Sequence, residues 1–153
     1  MMRGANSLLV LGAALAALAA TPLPAQPASS TGTLTVADPW VRAIPGAAVA
    51  AAYMTLHNGG KEPMRVIGVR SALAGHAMIH ETRLENGVST MRPHEPLVIA
   101  PGASVTLEPG GLHVMLHDLA HPLAVDEQVP LELLLAGGGR LQVNARVRPL
   151  SAE

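Results

Sequence analysis

Four residues of this chain stand out by type and spacing: His80, then ten intervening residues to Met91, twenty-one more to His113, and a single one to Met115. Two imidazoles and two thioethers make a soft, neutral donor set, which suits Cu(I) better than Zn(II), Fe or Ca(II). The chain has no cysteine. Blue-copper electron transfer needs a thiolate with two imidazoles, so a redox carrier of that kind is excluded. Paired carboxylates, a nucleophile elbow and a zinc motif such as HExxH are also missing, so no catalytic residue and no enzyme is expected. The pattern points to copper handling. Against it stands a plainer reading, which residue type alone favours: Met91 and Met115 as core fillers, and the histidines as surface or hydrogen-bonded groups.

Such a site needs elements to hold it. Without its N-terminal segment the chain leaves roughly 125–130 residues, enough for one domain around one hydrophobic core. There is no phenylalanine, and Trp40 and Tyr53 are the only aromatics. Leu, Val, Ile, Ala and Met must therefore fill the core. Ten basic and eleven acidic residues give a near-neutral chain with no cationic run. Nucleic acid and anionic membrane surfaces are not expected as partners.

The first residues read as an export signal, residues 1–25, with Arg3 as the positive region and Leu8–Ala20 as a short apolar run. Ala17-Leu18-Ala19 matches the A-x-A cleavage pattern and Leu23-Pro24-Ala25 is a weaker second candidate, so processing is expected between Ala19 and Ala25. The apolar run falls short of the roughly 20 residues that span a bilayer, so no membrane insertion is expected after processing. Without cysteine there is no lipid-modified thiol at the processed end, and a soluble exported protein follows. In an oxidising compartment a methionine sulfur remains a usable copper ligand where a thiolate could be lost to a disulfide.

Residues 26–32 read as a flexible leader rich in Pro, Ala, Ser and Thr, with structure from Thr33 to residue 148 and a short tail over 149–153. Downstream, short alternating or β-branched runs predict strands over Ala51–His57, Met64–Val69, Met78–Leu84, Val88–Arg92, Ser104–Leu107, Leu112–His117, Leu131–Leu135 and Leu141–Val147. Asn58-Gly59-Gly60, Asn86-Gly87, Pro101-Gly102, Pro109-Gly110-Gly111 and Gly137-Gly138-Gly139 punctuate them. No segment carries a helical period, and the expectation is an all-β Greek-key β-sandwich in a single domain.

Strand parity lets the four donors meet. His113 and Met115 are one residue apart, so both side chains point to one face. If Asn86-Gly87 is a two-residue type I′ turn, Glu85 faces Val88 and Thr82 faces Met91, with His80 diagonal to Met91 on that face. How Leu112–His117 pairs with this hairpin stays open.

The spacing His-x10-Met-x21-His-x-Met, set among DPWVRA, AAYMTLHN, NGVSTMRP, the PG of IAPG, PGGLHVML and VPLEL, resembles the periplasmic copper chaperone family called PCu(A)C. The likeness runs from about Thr33 to Val147 and implies a cupredoxin-like sandwich. It also implies Cu(I) held by His80, Met91, His113 and Met115 in the periplasm. The implied destination is the dinuclear copper centre of cytochrome c oxidase, reached directly or through an assembly factor. The chain departs from the family in two places. Members often carry a further Met two residues after the first His, where this chain has Thr82, a poor soft-metal ligand; Met78 shares the face of His80 and is a possible replacement. Some members add a His- and Met-rich tail for Cu(II), whereas this sequence ends RPLSAE, so no such site is expected.

His76 shares parity with His80, and His117 with Met115, so either could line the rim of the site. His57, His94 and His121 read as solvated, and Trp40 and Tyr53 as packing residues. Binding through imidazoles should weaken below about pH 6, where His80 and His113 protonate. The rival functions are a copper scavenger or store without a dedicated acceptor, and a metal-free interaction sandwich.

Overall fold

The structure is a computed structural model and describes residues 30–31 and 33–149. The expected export signal, most of the leader and the last four residues lie outside the described residues. Ser30 and Thr31, placed by the sequence reading in the leader, form a two-residue strand against Leu34 and Thr35, so ordered backbone begins before Thr33.

The described residues form eleven strands: β1 (Ser30–Thr31), β2 (Leu34–Ala43), β3 (Val49–Asn58), β4 (Met64–Arg70), β5 (Ala74–Glu85), β6 (Val88–Pro93), β7 (Leu97–Ile99), β8 (Ser104–Leu107), β9 (Leu112–Leu119), β10 (Gln128–Leu135) and β11 (Arg140–Arg148). The hydrogen-bonded order is β6-β5-β9-β3-β2-β11-β10-β4-β7, with β8 added to β3. This sheet folds into an all-β, cupredoxin-like sandwich. All pairings are antiparallel except β11 with β2, where the last strand returns to lie beside the second.

Period-two patterning decides which face of each strand is buried. In β11, Leu141, Val143, Ala145 and Val147 are buried while Arg140, Gln142, Asn144 and Arg146 are exposed. The same alternation puts Val41, Ala50, Ala52, Ile79, Val114 and Leu116 into the core. Each buried Val, Leu or Ile contributes about 1.5–3 kcal/mol relative to exposure. Among the described residues, Met54 is the one methionine in the buried core cluster. Leu, Val, Ile and Ala thus do the filling, and methionine fills less of the core than the composition suggests.

The expected strands are present, most extended by one to four residues at an end. Besides β1, two strands, β2 and β7, escaped the sequence reading for local reasons. In β2, Asp38-Pro39 interrupts the alternation, and the register with β3 shifts between Ala37 and Trp40 where Asp38 takes a φ of 45°. Such a bulge tolerates the proline inside a strand. β7 is only three residues long, too short for a periodic signal.

Candidate metal centre

The β5–β6 hairpin forms with the expected register. Glu85 pairs with Val88 and Thr82 with Met91, and Asn86 and Gly87 take φ of 54° and 79°, the left-handed pair that a type I′ turn requires. What the sequence left open is settled by β9, which lies against the other edge of β5. His80 is the direct partner of His113, and Met78 of Met115. β9 is in turn flanked by β3, with Ala51 beside Met115 and Val49 beside His117.

One sheet face therefore carries rows of side chains across four strands. Trp40 pairs with Tyr53, whose ring centroid lies 6.5 Å from that of His113, and His113 lies 5.9 Å from His80. The neighbouring row runs Arg42, Ala51, Met115, Met78. The small Ala51 leaves room above the sheet, and a cavity of about 360 Å³ opens there, lined among others by Arg42, Tyr53, Thr82, Met91, His113 and Met115. Three of the four candidate donors face this cavity, and His80 stands beside it through its contact with His113.

The turn Pro109-Gly110-Gly111 before β9 sets the geometry of His113. Gly110 adopts a φ of 81° that disfavours a side chain. The Gly111 carbonyl then accepts hydrogen bonds from the Thr82 amide at 3.0 Å and from His113 Nδ1 at 3.1 Å. A carbonyl only accepts, so His113 Nδ1 carries the proton and Nε2 presents a lone pair. His113 is buried, at 4 % exposure. His80 Nδ1 is also buried and lacks a hydrogen-bond partner, a costly state for a polar atom unless something else satisfies it. Burial, and then repulsion from His113 and His117, holds the His80 imidazole below the usual histidine range, with Glu95 opposing. A neutral imidazole is the form that ligates a metal.

The sulfurs differ in exposure. Met115 is half-buried, while Met91 is 55 % exposed at the open edge of the hairpin. Neither behaves as a core filler. Arg42 flanks the cavity with Nε and Nη2 buried and without hydrogen-bond partners, its guanidinium 5.6 Å from the Trp40 ring and 5.7 Å from the Tyr53 ring. Burial raises the Tyr53 hydroxyl above its ordinary pKa, partly offset by Arg42. Trp40 and Tyr53 are packing residues, as expected, but they pack on the site face, outside the main core cluster. Among the remaining histidines, His57 Nδ1 lies 2.9 Å from Ser104 Oγ, His94 Nδ1 3.3 Å from Glu81, and His121 Nε2 3.4 Å from Glu127. Sequence reasoning missed Arg42, because its place over the cavity depends on the β2–β3 bulge.

The fold described here is that of a PCuAC-type domain. The copper-bound PCuAC domain from PmoF2 superposes with a TM-score of 0.66 at 27 % identity, covering 79 % of this chain and 97 % of that one. The Cu(I) form of DR1885 from Deinococcus radiodurans gives 0.60 at 34 % identity, covering 74 % and 76 %. The chain belongs to the LpqE-like family, described as "Putative lipoprotein LpqE-like", which it matches over residues 34–147. A relative in Leifsonia xyli subsp. xyli, "Putative lipoprotein Lxx21020", is 30 % identical over 126 residues, 82 % of this chain and 75 % of that protein.

Proposed function

We propose that this protein is an exported Cu(I)-binding metallochaperone that holds the ion with His80, Met91, His113 and Met115 and delivers it to the dinuclear copper centre of cytochrome c oxidase or to one of its assembly factors. One observation carries the reading: His80 and His113 are direct cross-strand partners on the face that also bears both thioethers. Among the described residues no group of three or more His, Asp and Glu is arranged to hold a metal ion. A metal on this face therefore draws on sulfur, and sulfur with imidazole selects Cu(I) over harder ions. The likeness to PCuAC domains described as copper-bound supports the same conclusion.

The residues divide the work. His113, locked by the Gly111 carbonyl, supplies a preset nitrogen, and an ion at His80 would satisfy its orphaned Nδ1. Met115 closes the inner side. Met91, exposed on the hairpin edge, is the ligand an acceptor reaches first. All four donors are neutral, so the loaded site keeps the charge of the ion, and the nearby Arg42 cation adds repulsion. A site so built releases copper downhill to a thiolate-rich acceptor.

Titration of the protein with Cu(I) against a competing chelator tests the site. The His80→Ala/His113→Ala variant should lose the tight equivalent, with copper-edge X-ray absorption of the wild type loaded with one equivalent counting two nitrogen and two sulfur neighbours. Tight binding that survives the double substitution sinks the assignment. Transfer from loaded protein to a soluble oxidase copper domain separates chaperone from scavenger, since a scavenger retains the ion.

A further inference from the structure

Below the His80–His113 pair, the β5–β9 ladder continues with donors that the proposed centre leaves idle. Met78 stands directly opposite Met115, and His76 directly opposite His117. Three successive rungs on one face thus read His/His, Met/Met, His/His. Opposed side chains on an antiparallel ladder lie about 4.5–5.5 Å apart at Cβ, and same-face rungs follow every two residues, about 7 Å along the strand.

The outer rung has the features of a ligand pair. The His117 ring centroid is 6.4 Å from that of His80, so this one side chain of the third rung reaches back to the first. His117 and Met78 are both half-buried, and Val49 of β3 walls His117 on its far side. His76 Nδ1 faces Asp118 Oδ2 at 3.4 Å. A carboxylate in that position accepts a hydrogen bond from Nδ1–H and leaves Nε2 free, the carboxylate–histidine arrangement that orients metal-binding imidazoles.

We propose that His76, Met78 and His117 form a second Cu(I) station at the solvent end of this ladder, from which the ion passes to and from the His80–Met91–His113–Met115 centre. The inference rests on the copper reading above. Two nitrogens and one sulfur make a three-coordinate soft set, weaker than the four-donor centre and more open to exchange.

The test is Cu(I) titration of the protein against a chromophoric chelator, with circular dichroism confirming that each variant is folded. The His76 side chain is 72 % exposed, so its replacement leaves the core intact. Wild type should bind one tight and one weaker equivalent. His76→Ala/His117→Ala should keep the tight equivalent, lose the weaker one and release copper to the chelator several-fold more slowly. Met78→Leu should weaken only the second equivalent. His80→Ala/His113→Ala should show the reverse, losing the tight equivalent and keeping the weaker. A single equivalent in wild type, or a second that survives in His76→Ala/His117→Ala, overturns the station, and an unchanged release rate overturns the passage. Retention of the tight equivalent in His80→Ala/His113→Ala would instead overturn the primary centre, so the two failures are distinguishable.

Discussion

Met91 separates the packing reading of the methionines from the ligand reading. At 55 % exposure it stabilises little by burial. Met91→Leu should leave the denaturation midpoint of the metal-free protein within about 0.5 kcal/mol of wild type, while Cu(I) affinity falls at least about tenfold, or about 1.4 kcal/mol. Chelator competition measures the second quantity, and an unchanged affinity removes Met91 from the site. His80 gives a pH signature without any metal. Its folded pKa is depressed by burial first and by its histidine neighbours second. The unfolded chain therefore takes up a proton near pH 6.5 that the folded chain refuses. Metal-free stability should fall as pH drops through about 6.5, and the loss is complete below the folded pKa of His80. Urea denaturation between about pH 8 and pH 5 should show a smaller loss in His80→Gln than in wild type. Parallel curves would mean that His80 is not the group responsible.

At the scale of elements, two turns and one pairing place the donors. The β5–β6 turn puts Met91 opposite Thr82 because Asn86 and Gly87 both accept positive φ. Gly87→Val forces a branched side chain into that region and should cost about 1–2 kcal/mol. It should also reduce Cu(I) affinity while His113 and Met115 remain in place. Equal copper affinity in the folded variant would show that hairpin register does not position Met91. This hairpin was readable in the sequence, since an Asn-Gly turn between alternating runs fixes register by local sterics. The β5–β9 pairing was not, because residues 31 to 45 positions apart meet only once the sandwich has formed. The bulge at Asp38-Pro39 hid β2 for the opposite reason: a local interruption concealed a strand that long-range pairing with β3 sustains.

For the whole molecule, a metal ion that binds only the folded state adds to its stability. Free Cu(I) at a hundred times its dissociation constant should raise stability by about 2.7 kcal/mol, or roughly 10 °C in midpoint for a domain of this size. Calorimetry under reducing conditions measures it, and a metal-independent midpoint would favour an interaction sandwich. The rise should vanish in His80→Ala/His113→Ala. The sequence by itself determined the candidate donors, the softness of that set, the all-β class and the hairpin register, because these depend on residue chemistry and on period-two patterning along short stretches. Only the tertiary structure decided that β9 lies beside β5, that the Gly111 carbonyl orients His113, that Arg42 borders the cavity, and that His76 and Met78 continue the ladder. Those placements depend on which sheet edges meet once some two dozen apolar side chains are buried together, a choice made by the whole chain and by no segment of it.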